Sequence, residues 1–419
     1  MRIFIKNIKG LINVREELAS PLAGAEMNDL PVLNNSYLVV ANGKIVDFGE
    51  MDEFSSEQLS AVESSVNKVI DASNKYVFPS YCDSHTHLIY AGSRETEFMD
   101  KIRGLSYQEI ARRGGGILNS VERLHITSEE DLFTQALSRV DEIIHFGTGA
   151  VEIKSGYGLT LEDEIKMLRV AKRIEKETPL TVKTTFLGAH AIPARYKGDK
   201  EGYVNEIINE MIPVIASEEL AEYVDIFVEE GFFDVQDAER IFTAAMKYGL
   251  RPKVHANQMS FSGGVQVGVK YNAISVDHLE FTGENEFEVL KNSDTIATML
   301  PGATFFMEMD FAPARQMLDY GLSLAIASNY NPGSCPSGDM KYMMALACLK
   351  MKLTPEEVIN AATINGAFAM NLDDQLGSIT IGKKANLFIT KEIPSYEYLP
   401  YAFTSPLIDT IILNGKIVK

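Results

Sequence analysis

Pro79-Ser80-Tyr81-Cys82-Asp83-Ser84-His85-Thr86-His87 decides how this chain reads. It follows Lys75-Tyr76-Val77-Phe78, an apolar run that reads as a short buried strand closed by a proline. In an extended segment, residues i and i+2 point to the same side. His85 and His87 therefore present two imidazoles together, just where strand gives way to loop. Two neutral imidazoles with converging nitrogens make half a site for zinc or iron. A bare His-x-His is often two unrelated histidines, so its weight depends on what the rest of the chain supplies.

Outward from this stretch, the chain alternates. Short apolar strands end near His85, Lys154, Gly188, Glu229, His255, His278, Leu300 and Asn329. Between them, residues 129–145, 161–176 and 235–248 carry apolar positions at helical spacing. Thr354-Pro355-Glu356-Glu357 opens a late helix, with Thr354 as cap, Pro355 in the first turn and Glu357 completing a capping box. Eight strands with helical crossovers are the count for a (β/α)8 TIM barrel of the α/β class. A doubly wound open sheet is the competing arrangement. The barrel is favoured because polar residues collect at the C-terminal ends of many different strands, where barrel active sites sit.

The flanks read as β-structure. Residues 37–41 and 44–48 surround Asn42-Gly43, a two-residue hairpin signal. Residues 385–389 and 409–413 are further strands, and Asn414-Gly415-Lys416-Ile417-Val418 repeats the phrase at 42–46. Both flanks are expected to form one small β-sandwich domain. The division expected is 1–75 and 376–419 for that domain, and 76–375 for the barrel.

Composition bounds the function. The chain has 419 residues, with 39 basic and 58 acidic side chains and a net charge of −19. That balance argues against nucleic acid and against an anionic membrane surface as partners, though a local arginine can still receive an anionic substrate. Cys82, Cys335 and Cys348 are odd in number and widely spaced, so they spell neither a disulfide framework nor a CxxC metal site. The first residues lack the apolar run of a signal peptide, and no stretch reaches the ~18 apolar residues of a membrane span. A cytoplasmic, reducing setting is the expectation.

The strand ends carry the chemistry. They offer His85 and His87, then Lys154-Ser155-Gly156-Tyr157-Gly158, then Gly188-Ala189-His190. His255 with Asn257 and Gln258, Asp277-His278, and Ser328-Asn329-Tyr330-Asn331-Pro332-Gly333-Ser334 follow. Five of the seven histidines fall in this set; His125 and His145 read as surface residues. Met340, Met343 and Met344 read as adaptable helix packing. Gly114-Gly115-Gly116 lacks the following Lys-Ser/Thr of a phosphate loop and is expected to be a mobile or closely packed active-site loop.

This pattern resembles the amidohydrolase superfamily. Gly92-Ser93-Arg94, Arg112-Arg113-Gly114-Gly115-Gly116-Ile117, Glu152 to Gly158, Phe186 to His190 and Asn331-Pro332-Gly333-Ser334 narrow the likeness to its imidazolonepropionase family. Members of that family hydrolyse 4-imidazolone-5-propanoate to N-formimidoyl-L-glutamate. The resemblance implies one zinc or iron ion, held by His85, His87 and His255. The family's fourth ligand is an aspartate, and Asn329 stands in its place. An amide offers only a neutral oxygen and is no base at neutral pH. The resemblance also implies a substrate pocket lined by Arg94, Tyr157, His190, Gln258, Asn331, Gly333 and Ser334. Arg94 suits a carboxylate, its bland alternative being an ion pair with Glu95 or Glu97. His278 is the candidate to orient water or take its proton, and His190 to stabilise an oxyanion. Lys154, on strand two, is expected to support the pocket as a charge, since strand four offers no lysine to bridge a second metal. A homodimer is implied by the superfamily. Two readings stand beside this one: an amidohydrolase for another cyclic amide, and a binding protein that lost turnover through Asn329.

Overall fold

The computed structural model describes every residue except 17–19, 106–108 and 110–114. Arg112, Arg113 and Gly114 of the glycine-rich motif thus lie outside the described residues. In chain order, β1 (Arg2–Ile12), β2 (Val32–Ala41), β3 (Lys44–Glu50), β4 (Lys68–Asp71) and β5 (Tyr76–Pro79) come first. Next are β6 (Tyr81–Thr86), β7 (Thr148–Lys154), β8 (Thr181–Ala189) and β9 (Tyr223–Val228). These are followed by β10 (Arg251–Ala256), β11 (Ser275–His278), β12 (Ile296–Met299) and β13 (Leu324–Ile326). β14 (Leu387–Thr390), β15 (Ile408–Leu413) and β16 (Lys416–Ile417) come last.

Strands β6 to β13 are parallel, each paired with the next, as expected for the barrel. The ring closes just past the ends of β13 and β6. There Asn329 N–H donates to the His85 carbonyl at 3.0 Å, and His87 N–H to the Tyr330 carbonyl at 2.9 Å. Asp83 also accepts from Ser328 N at 2.9 Å. The closing seam and the metal-type histidines therefore share the same few residues.

The helices that cover the barrel follow their sequence signals. Ser128 accepts from Asp131 N at 3.1 Å and caps the helix Glu129–His145. Its Leu132, Phe133, Ala136, Val140, Ile143 and Ile144 form the buried stripe. Truncating one of these large side chains to alanine costs about 2–5 kcal/mol. Thr354 and Glu357 make the expected reciprocal cap, with Thr354 N donating to Glu357 Oε2 at 2.7 Å. Met340, Met343 and Met344 pack fully buried. Among the described residues no helix is long and apolar enough to cross a membrane.

The flanks form one sheet in the order β16-β15-β14-β5-β1-β2-β3, with β4 also on β1. It curls. Ile3, Leu38, Ile45, Val77, Leu387 and Ile412, drawn from across the whole order, share one core. The two Asn-Gly turns meet, so that a Cβ on Gly415 would lie 2.6 Å from the Gly43 Cα. Asn42, Gly43, Asn414 and Gly415 have φ of 52°, 82°, 49° and 69°, the left-handed pair each tight turn needs. One curled sheet thus supplies the two layers expected of a sandwich.

The short strand expected at 75–78 is present as β5, Tyr76–Pro79, and it joins the flanking sheet by pairing with β1 and β14. The barrel's first strand is β6, starting after Ser80. A run buried on both faces has no periodicity to say which sheet it joins. Residues 1–75 also contain a helix, Ser56–Ser65, announced by a Ser55/Gln58 capping box.

Candidate active site

Five histidines converge at the barrel mouth. His85 Nε2 lies 3.2 Å from His87 Nε2, and His87 Nε2 lies 3.3 Å from His255 Nε2. Candidate ligand atoms of His85, His255 and His278 fall within 4.8 Å of one another, as do those of His87, His190 and His255. His190 stacks on His87 with ring centroids 5.1 Å apart. Burial, then the nearby Lys154 and the other imidazoles, hold His85 and His87 well below the usual histidine range. Burial holds His190 down to about 3. His85, His87 and His190 are therefore neutral at pH 7, with lone pairs to give. Nitrogens bound at about 2.1 Å to a tetrahedral ion sit about 3.4 Å apart. The spacing of His87 Nε2 from His85 Nε2 and from His255 Nε2 fits that, and bare lone pairs at such distances would repel. The donor set fits one transition-metal ion.

Beneath the histidines lies a layer of charge that the sequence reading passed over. Lys154 Nζ donates to Glu152 Oε1 and to Asp225 Oδ2, each at 2.7 Å, and lies 3.6 Å from Asp277 Oδ2. Lys253 Nζ pairs with Glu152 and donates to the Ser84 carbonyl at 3.1 Å. All five side chains are fully buried. Burial opposes the charge on Lys154, but Asp225, Glu152 and Asp277 outweigh it and hold its pKa above the ordinary value. Burial likewise pushes Asp225 up, but His255 and Lys154 pull it well below the usual range. For Asp277 burial prevails, and its pKa is raised.

Two ammonium groups among three carboxylates leave an acidic excess directly under the cation position. Asp277 Oδ2 accepts from His85 Nδ1 at 2.6 Å. That bond puts the proton on Nδ1 and leaves the His85 Nε2 lone pair facing its neighbours. Asp225 Oδ2 lies 3.0 Å from His255 Nδ1, in ion-pair reach but off the axis of a hydrogen bond. Lys154 was expected to support the pocket as a charge. Lys154, the last residue of β7, is fully buried, and its charge is spent on Glu152 and Asp225.

The substrate side is built by loops. Glu164, fully buried, accepts from Gly156 N at 3.1 Å and from Gly158 N and Leu159 N at 2.8 Å. It fixes the Gly-Tyr-Gly loop, so that the Tyr157 ring stands 5.6 Å from His190 and 6.0 Å from His87. Burial raises the Tyr157 pKa, and the charge of Arg94 is the main force against it. Arg94 donates through Nε and Nη2 to Glu97 Oε2 at 2.9 and 2.5 Å. Its Nη1 lies only 2.1 Å from where a Cβ on Gly333 would stand. The ion pair with Glu97 is thus formed, and it leaves the Nη1 edge of the guanidinium lying against Gly333.

Asn331 has its amide committed locally. Oδ1 accepts from Gly333 N and Ser334 N at 2.8 Å, and Nδ2 donates to the Asn329 carbonyl at 2.6 Å. It shapes the turn that carries Gly333 and Ser334. Gln258 is buried, with Nε2 3.6 Å from Met307 Sδ. Asn329 has φ 53°, which asparagine tolerates better than most residues, and is tied to His85 through its backbone. His125 pairs with Asp163 and His145 bonds its own helix, both away from this cluster.

His190 Nδ1 donates to the Gly156 carbonyl at 3.0 Å. A neutral ring with its proton there has only a lone pair on Nε2. That corrects the expectation of His190 as an oxyanion donor: its free nitrogen accepts. Two cavities, of about 540 and 400 Å³, share Ile192, Gly231 and Phe232 at the barrel mouth. Phe232 packs on Phe227 at 4.6 Å, and Phe227 faces His190 at 6.4 Å. The cavities thus border the histidine chamber without reaching it.

The model of the amidohydrolase family matches residues 76–418. The chain is 51% identical over 418 residues to the imidazolonepropionase of Flavobacterium johnsoniae, covering 100% of both. It is 52% identical to that of Christiangramia forsetii, again over 100% of both. The chain belongs to the amidohydrolase family, and within it to the imidazolonepropionases. The fold is similar to that of E. coli guanine deaminase, with a TM-score of 0.75 at 12% identity, covering 100% of this chain and 99% of that one. It is also similar to a zinc-bound adenosine deaminase from Xanthomonas campestris, with a TM-score of 0.71 at 16% identity, covering 99% of this chain and 92% of that one. At those identities the likeness speaks for the barrel and its flanking sheet.

Proposed function

We propose that this chain hydrolyses the ring amide of 4-imidazolone-5-propanoate to N-formimidoyl-L-glutamate, a step in the breakdown of histidine to glutamate. The observation that carries the reading is the Nη1 edge of Arg94 lying against Gly333, beside Tyr157 and the histidine cluster. A guanidinium edge on the Tyr157 side of the histidine cluster supports this reading, since it suits the propionate tail of a cyclic amide. Zinc or iron, when bound, supplies Lewis acidity and a water that ionises near neutral pH.

His85, His87 and His255 would hold the ion, with the Asn329 amide oxygen available as a fourth donor. His278 orients the attacking water and takes its proton. The water oxygen bonds to the ring carbonyl carbon, the carbon–nitrogen bond breaks, and the proton held by His278 passes to the departing nitrogen. His190 accepts the ring N–H through Nε2, as its tautomer requires. Arg94 binds the propionate, while Gly333 and Ser334 supply the adjoining pocket edge with Gln258 opposite. On this reading the chain works in the cytoplasm, on a small molecule, as a homodimer.

A second reading draws on Asn329 and Gln258, two neutral amides at places suited to acid–base work. It keeps the pocket and loses turnover. The test is an assay of 4-imidazolone-5-propanoate hydrolysis by the metal-loaded protein and by Asn329→Asp. Turnover by the unmodified chain supports the first reading. Turnover by the variant alone supports the second, and none in either overturns the assignment.

A further inference from the structure

One buried carboxylate beside the cluster has no role in the account above. Side-chain alternation along β11 would send Asp277 and His278 to opposite faces. Both face inward, because His278 has φ 91° and Leu279 φ 73°. Two successive non-glycine residues in that region cost about 1–3 kcal/mol each and persist only where the surroundings hold them. Here Leu279 N donates to the Ala256 carbonyl at 3.1 Å, and Phe281 N to the Asn257 carbonyl at 2.9 Å. Thr282 Oγ1 adds a bond to the Leu279 carbonyl at 2.7 Å.

The turn brings Glu280 back beside His278. Its side chain is 1% exposed. Oε1 accepts from Thr304 Oγ1 at 2.6 Å. Oε2 stands 3.9 Å from His278 Nδ1, and among the described residues neither atom has a hydrogen-bond partner. A buried carboxylate oxygen left without a donor is costly, and so is a buried ring nitrogen. The two orphans face each other at a gap that a small rotation or one water closes. Asp277, the other carboxylate at this place, is taken by His85 and Lys154.

We infer that Glu280 is the positioning residue for His278. Oε2 accepts a hydrogen bond from His278 Nδ1–H, fixes the ring, and leaves the Nε2 lone pair turned toward the other histidines. The Thr304 hydroxyl holds the carboxylate in place. The inference rests on the proposed role of His278 for its catalytic consequence, but its structural content is the tautomer of one ring.

The experiment uses the full chain loaded with zinc, in the unmodified form and as Glu280→Gln, Glu280→Asp and His278→Asn. Histidine ¹⁵N spectra, with His278 assigned by its loss in His278→Asn, read the tautomer directly. The expected result is a proton on Nδ1 in the unmodified chain and on Nε2 in Glu280→Gln, whose amide donates where the carboxylate accepted. With 4-imidazolone-5-propanoate, Glu280→Gln should lose about 100-fold or more in kcat. KM should stay within about threefold, zinc content should be unchanged, and Glu280→Asp should recover part of the loss. An Nε2 proton on His278 in the unmodified chain overturns the inference, as does full kcat in Glu280→Gln while His278→Asn is inactive. Full activity in His278→Asn instead removes the proposed role of His278, and the spectra still decide the tautomer. Should Glu280→Gln fail to fold, the spectrum of the unmodified chain decides alone.

Discussion

The layers below and above the histidines are built from the same chemistry and behave differently. Below, Glu152, Lys154, Asp225, Lys253 and Asp277 are paired with one another and none is exposed. Above, the Arg94 and Glu97 side chains are 17% and 14% exposed, on the loop and helix after β6. The lower layer is fully buried, away from bulk solvent, so each charge there depends on its protein partners. In the upper layer water can step in, and a side chain can be shaped for a ligand that comes and goes. The lower layer holds the histidines from beneath through Asp277 and Asp225; on the proposed function, the upper one meets the substrate.

The sharpest way to break this comparison is to remove one cation from the lower layer. Lys154→Met leaves Glu152, Asp225 and Asp277 with Lys253 alone. Uncompensated buried charge of this kind costs about 3–5 kcal/mol, read as a lower urea midpoint with an unchanged slope. A loss under ~1 kcal/mol would mean that water enters the layer. Next in size is Asp277→Asn, which takes away the charge that orders the His85 tautomer but keeps the shape. Zinc affinity should fall about 10–100-fold, measured by competition with a chelator, while the urea midpoint moves less than for Lys154→Met. Unchanged affinity would show that Asp277 does not act through His85.

The histidines were legible because His-x-His at a strand end is a local signal, and because His255 and His278 close later strands in the same way. The layer beneath was not. Glu152 and Lys154, like Lys253 and His255, are two residues apart, which in a strand reads as an ordinary polar face. Only barrel closure turns that face into a fully buried interior. A signal was present: Asp83 two residues before His85, Lys253 two before His255, and Glu152 two before Lys154, in strands rich in apolar residues. Asp277 and His278 hid for a different reason, since adjacent residues should diverge and positive φ at His278 is not written in its identity. Glu164 was illegible as well: as an acidic residue in the first turn of a helix it reads as a solvated end group, while its carboxylate reaches back to the Tyr157 loop. In the flanking sheet, the repeated Asn-Gly phrase did give the hairpins. That the two turns touch is a long-range fact.

The upper layer answers to smaller changes. Arg94→Lys keeps the charge but loses the fork, which can no longer grip Glu97 with two nitrogens and still offer a third to the pocket. KM for 4-imidazolone-5-propanoate should rise about tenfold with kcat little changed. A fall in kcat at constant KM would move Arg94 out of substrate binding and into the support of the histidines.

The smallest effect belongs to a pair outside both layers. His125, 67% exposed, meets Asp163 at 2.7 Å, and Lys166 meets the same carboxylate at 2.8 Å. Burial pushes the Asp163 pKa up, but the bonds from Lys166 and His125 outweigh it and hold the group below its ordinary value. A lowered carboxylate adds stability that is fully present above the ordinary aspartate range, about 4, and is lost as pH falls through the folded value. Since Lys166 stays, His125→Ala should cost no more than about 1 kcal/mol at pH 7. The gap to the unmodified chain should shrink as acid protonates Asp163. Thermal unfolding at pH 7 and again at about pH 3, below the ordinary aspartate value, measures both. A cost like that of Lys154→Met would mean that depth is not what separates strong charge pairs from weak ones in this barrel, and the contrast between its layers would have to be sought in geometry instead.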